Sequence, residues 1–139
     1  MTADALSDLI LVVDDDDAVR TLVVRVLTLA GHGAVGVPDA EQALARIAET
    51  RFAAVVLDNH MPSMSGMEML AHLWQDRSPS TLPVILITGD PDIASSPEWV
   101  EVGATDYLVK PFEPAELVAR VETVLQRCVT GANALRSDR

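Results

Sequence analysis

Five apolar residues in a row, LILVV at 9–13, carry no polar alternation, which is the pattern of a strand covered on both faces. From 17 to 30 the apolar residues Val19, Leu22, Val23, Val26, Leu27 and Ala30 recur at helical spacing, and Gly31 follows as a stop. AVGV at 34–37 is a weak second strand, and Asp39 caps a helix through about 49 with Ala43, Leu44 and Ile47 inward. AAVVL at 53–57 is a third strand that ends at Asp58. The loop NHMPSMSG then leads to a helix over 66–76 with Met67, Leu70, Ala71 and Trp74 on one face. PVILI at 83–87 is a fourth strand, ending in Thr88-Gly89-Asp90. A fifth strand at 106–109 runs into Lys110-Pro111, and a last helix over 114–128 buries Leu117, Val121, Val124 and Leu125.

The stretch 89–104, GDPDIASSPEWVEVGA, is the least regular. Proline is costly inside a helix and well tolerated at its first position. Ser96 is a good N-cap immediately before Pro97, so the pattern predicts a short fourth helix from Pro97 to Val102. Residues 90–95 then form a mobile loop, with Trp99 as an aromatic anchor.

Strand and helix thus alternate five times, which predicts an α/β fold: a doubly wound five-stranded parallel sheet with helices on both faces. One domain over 1–128 accounts for this pattern, and 129–139 (VTGANALRSDR) reads as a tail or the start of a linker.

Composition narrows the picture in three ways. With 49% hydrophobic but only 4% aromatic residues, the core is aliphatic. A single cysteine, Cys128, excludes an internal disulfide, and neither a basic leader nor a membrane-length apolar run is present, so a cytoplasmic protein is expected. A net charge of −11 argues against direct contact with nucleic acid or with an anionic membrane. Nine arginines stand beside one lysine, which makes Lys110 a candidate for a role needing a compact point charge.

In this fold class the carboxyl ends of the strands form the ligand crevice. Those ends carry Asp14 and Asp15, then Asp58, Thr88 and Lys110. Each has a bland reading as a helix cap, a strand end or a turn, but four of five strands ending so by coincidence is a poor explanation. Three carboxylates need more positive charge than one ammonium supplies. An all-oxygen donor set suits magnesium. His32, His60 and His72 lack metal-ligand spacing with one another, and no glycine-rich nucleotide motif is present. The run of four aspartates then serves two cations. Asp14 and Asp15 face the metal, while Asp16 and Asp17 sit at the positive end of the first helix, worth roughly 0.3–1 kcal/mol each.

VVDDD at 12–16, LDNHMPSMSGME at 57–68, LITG at 86–89 and GATDYLVKPF at 103–112 together resemble the receiver domain of two-component response regulators. The resemblance spans about 9–128 and implies a flavodoxin-like receiver that takes a phosphoryl group from a histidine kinase or histidine phosphotransfer protein. It implies Asp58 as phosphoacceptor, Asp15 as direct magnesium ligand with Asp14 acting largely through water, and the main-chain carbonyl of His60 completing the protein ligands. Thr88 resembles the hydroxyl that follows the phosphoryl group, Lys110 its ammonium partner, and Tyr107 the aromatic that swings inward on activation. The face of the fourth helix, fifth strand and fifth helix is the implied switching and dimer surface, and Lys110-Pro111 is cis in many relatives. His60 and Asp90 border the implied path of hydrolytic water. Such a protein is no enzyme beyond its own phosphorylation and slow dephosphorylation.

Two other readings fit less well. A phosphohydrolase with an aspartate nucleophile needs a second aspartate two residues on, where this chain has His60, and a substrate cap, which it lacks. A receiver that never accepts phosphate would not need all five site residues.

Overall fold

The computed structural model describes residues 9–137, with side chains for 9–92 and 95–126. Among these residues the strands are β1 (Ile10–Val13), β2 (Ala34–Val37), β3 (Ala54–Asp58), β4 (Val84–Thr88) and β5 (Asp106–Val109). The helices are α1 (Asp17–Leu29), α2 (Ala40–Glu49), α3 (Gly66–Leu73), α4 (Glu98–Glu101) and α5 (Pro114–Ser137). The five strands form one all-parallel sheet in the order β2-β1-β3-β4-β5.

The continuous apolar runs are explained by two cores, one on each side of the sheet. Leu11, Val13, Val55, Leu57 and Leu86 pack with Ala43 and Ile47 of α2 and Leu70 and Leu73 of α3. The intervening residues Ile10, Val12, Val56, Ile85 and Ile87 pack with Val23 and Leu27 of α1 and Leu117, Val121 and Val124 of α5. Burying each such side chain stabilises the fold by roughly 1.5–3 kcal/mol. From β1 the chain steps outward to β2, then returns across β1 to β3. That reversal opens a crevice at the carboxyl ends of β1 and β3.

Local chemistry sets the helix starts. Asp16 caps α1, its carboxylate accepting from the Ala18 and Val19 amides, and Asp17 lies in the first turn. Asp39 caps α2 by accepting from the Gln42 amide. Ser65 and Glu68 form a reciprocal capping box at the start of α3.

Leu22, one of the apolar residues that recur at helical spacing in α1, is 52% exposed. Three expectations are corrected. Helix α3 ends at Leu73, short of 76, and its inner face is Met69, Leu70 and Leu73, with Ala71 exposed. Six apolar residues among 67–74 leave the helical phase undetermined by pattern, and packing chooses it. Residues 91–95 are not loop but a 3-10 turn, Pro91–Ser95, and α4 is a single turn, Glu98–Glu101, with Pro97 as its N-cap. Ser96 still contributes, its hydroxyl accepting from the Glu98 amide at 3.3 Å. Finally, α5 continues past 128 to Ser137. Gly131 lies within it, and a lone helical glycine costs only about 1 kcal/mol, too little to end a helix by itself. Residues 1–8 and 138–139 lie outside the described residues.

Candidate functional site

Asp14 extends β1 by one residue, its amide donating to the Val37 carbonyl at 3.2 Å. Its carboxylate turns back to accept from the Asp16 amide at 2.9 Å. Asp58 closes β3, and its Oδ1 accepts from the His60 amide at 3.3 Å. Both aspartates are buried, whereas Asp15 is exposed. One carboxylate oxygen from each of Asp14, Asp15 and Asp58 falls within 4.8 Å of the others.

Lys110 reaches into this cluster from the end of β5. Its ammonium lies 3.4 Å from Asp58 Oδ1 and 3.8 Å from Asp14 Oδ2. The Lys110 amide donates to the Thr88 carbonyl at 2.8 Å, which ties the two strand ends together, and the Lys110-Pro111 bond is cis. Thr88 is buried at the end of β4, one position beyond Ile87, the residue in register with Asp58. Its hydroxyl accepts from the Asp90 amide at 3.1 Å and keeps its own proton to donate.

Three carboxylates face one ammonium. Burial pushes the Asp14 carboxyl above the ordinary range. The charges of Asp58 and Asp15 add to this, while the Asp16 amide and Lys110 oppose it. An all-oxygen cluster short of positive charge fits a hard cation, so the pocket is able to hold a metal ion.

Tyr107 stands apart from the cluster on β5, half-buried, with Trp99 of α4 against it at a centroid distance of 4.9 Å and the Arg120 guanidinium 5.9 Å from its centroid. Arg120 Nη1 also donates to both carboxylate oxygens of Asp106, at 3.0 and 3.1 Å. His60 is exposed, as are Asp90 and His72. His32 is half-buried, its Nε2 3.0 Å from Glu122 of α5.

Several residues that shape the site leave no mark in the hydrophobic pattern. A Cβ on Gly66 would lie 2.8 Å from the Asp58 carbonyl oxygen and 3.0 Å from Asn59 Cα, so only glycine lets α3 begin this close to Asp58. The Asn59 side chain accepts from the Met67 amide at 3.0 Å and fastens the same loop. Ser65-x-x-Glu68 is the one signal that was available, a capping-box spacing directly before an apolar helix. Arg120 and Trp74 act through partners 14 and 28 residues away, and Arg20 through the main-chain carbonyl of Asp14, contacts that the hydrophobic pattern does not announce.

A parallel sheet with its crevice at the reversal point, a buried aspartate at the centre and a lysine from the last strand define a class of small α/β signalling domains. Residues 10–122 match the model of the response regulator receiver domain, and the chain belongs to that family. It is 35% identical over 122 residues to the phosphate regulon transcriptional regulatory protein PhoB of Pseudomonas aeruginosa, covering 88% of this chain and 53% of that protein. It is 37% identical over 124 residues to the DNA-binding response regulator MtrA of Mycobacterium tuberculosis, covering 89% and 53%. The chain therefore spans about half the length of the curated relatives it matches. Among solved structures, chemotaxis protein CheY4 of Vibrio cholerae superposes with a TM-score of 0.78 at 32% identity, covering 85% of this chain and 98% of that one. A CheY-like receiver domain protein of Methanospirillum hungatei gives 0.81 at 27%, covering 90% and 98%. The protein is a two-component signalling receiver, and phosphoacceptance follows from its family. Among the described residues no helix is long and apolar enough to cross a membrane.

Proposed function

We propose that Asp58 accepts a phosphoryl group from a histidine kinase or histidine phosphotransfer protein, that the transfer depends on magnesium held by Asp14, Asp15, Asp58 and the His60 carbonyl, and that it switches the α4-β5-α5 surface. The observation that carries this reading is the Asp58 carboxylate itself, buried beside two further carboxylates and 3.4 Å from the Lys110 ammonium.

One Asp58 oxygen attacks the phosphorus in line, the phosphorus–nitrogen bond of the donor breaks, and the donor imidazole keeps the electron pair and takes up a proton. Bound magnesium supplies charge neutralisation at the oxygens of the phosphoryl group in flight. Lys110 offsets part of the same charge and pairs with the product phosphate. The Thr88 hydroxyl, with its proton free to donate, follows the phosphoryl group. The space it vacates is what Tyr107 takes up in turning inward. His60 and Asp90 flank the approach of hydrolytic water and set how long the phosphate lasts.

The receiver unit is 1–128, with 129–139 leading out of it. It is cytoplasmic, and with a net charge of −11 its partners are proteins rather than nucleic acid or membrane, a second copy across the α4-β5-α5 face among them. The test uses acetyl phosphate and magnesium as donor system. Intact mass is expected to rise by a single phosphate, with none on Asp58→Asn and none in EDTA. Labelling of Asp58→Asn equal to wild type would falsify the assignment.

A further inference from the structure

Arg20 lies in the second turn of α1, but its side chain serves the loop before the helix. Its Nη1 donates to the main-chain carbonyl of Asp14 at 2.9 Å, and its Nη2 is paired with the Asp17 carboxylate. That carbonyl belongs to the peptide joining Asp14 to Asp15. The guanidinium thus grips the one peptide whose two flanking side chains both belong to the acidic cluster. Neither bond goes to a cluster carboxylate, so the contact sets geometry and leaves the charge of the ligands alone.

The arginine's route is also built. Its stem crosses β2 at Gly36, where a Cβ would lie 2.8 Å from Arg20 Cγ and 2.9 Å from Cδ. Glycine inside a strand costs roughly 0.5–1 kcal/mol relative to alanine, and here the missing side chain is the space the arginine occupies. Asp17 holds the second prong in place. The three residues come from α1 and β2, outside the cluster, and converge on a single peptide.

We infer that Arg20, seated on Gly36 and steadied by Asp17, is a positioning residue that fixes the Asp14–Asp15 peptide for metal binding. This rests on reading Asp14 and Asp15 as metal ligands. Partners that orient ligands without touching the metal typically contribute 10–100-fold in affinity. Lysine cannot substitute, because one ammonium on a flexible stem does not reproduce a planar fork that meets two acceptors at once.

The experiment is calorimetric titration of the full chain with magnesium chloride, with melting in EDTA recorded for every variant. Arg20→Ala and Arg20→Lys are each expected to weaken magnesium binding about tenfold. Gly36→Ala, which keeps the charge but pushes the stem aside, should weaken it comparably in the wild-type background and not at all beside Arg20→Ala. A purely structural role would lower the melting temperature in EDTA and leave the affinity alone. If Arg20→Lys binds within about twofold of wild type, or if Gly36→Ala costs the same in both backgrounds, the role of Arg20 is overturned while the metal site stands. Wild-type protein that takes up no magnesium overturns the site reading and the Arg20 role together.

Discussion

Burial holds the Asp14 carboxyl above the ordinary carboxylate range, and this fixes the sign of a pH effect. The folded state binds the Asp14 proton more tightly than the unfolded chain does. Its contribution is therefore greatest in acid, is lost as pH rises through the raised value, and stays lost at neutral pH. Asp14→Asn removes the titration and keeps an oxygen for the Asp16 amide. In EDTA the variant is expected to melt above wild type at neutral pH, with the gap closing in acid. A variant that melts lower at neutral pH would show that ionised Asp14 is already balanced without metal. The cluster itself was legible from sequence because Asp14, Asp15, Asp58, Thr88 and Lys110 each follow an apolar run, and parallel strands bring their carboxyl ends to one edge. Arg20 and Gly66 were not legible. Arg20 looks like any surface cation of an amphipathic helix, and Gly66 like any loop glycine, until the neighbouring backbone is in place.

Among the elements, α4 departs most from a regular helix, and its short turn is held from outside rather than by its own length. The Trp74 indole donates to the Val102 carbonyl at 2.6 Å, which satisfies one end of α4 from the end of α3. Gly103 follows at φ +86, where a Cβ would meet Trp74 Nε1 at 2.5 Å and Pro79 Cγ at 3.0 Å. Both the backbone conformation and the space require glycine. Gly103→Ala is therefore expected to cost more than about 1 kcal/mol in urea unfolding, whereas an effect near zero would mean that the α3–α4 junction yields freely. The proline at 97 gave the brevity of α4 away in advance. The 3-10 turn at 91–95 is hidden because its residues carry no apolar period, and the full length of α5 because the stretch from 129 opens with a turn-like Thr-Gly.

For the whole molecule, alternation of runs and periods was enough to predict the parallel sheet and its two helical layers. The order of the strands was not contained in that alternation. Local spacing says nothing of which edge a strand joins, and the order is seen only in the folded sheet. The shape that results places the chain's two tryptophans in different mechanical settings. Trp74 is moored by its hydrogen bond to Val102, and Trp99 leans on Tyr107, the ring proposed to move. The unlabelled protein thus carries a steady lamp and a responsive one. Emission is expected to change on adding acetyl phosphate and magnesium, and the change should vanish in Trp99→Phe yet survive in Trp74→Phe. If Trp99→Phe keeps the full response, the ring contact does not report the switch. Where the contact does report it, the lifetime of the phosphorylated state can be read in real time from the native chain, with no dye between the observer and the signal.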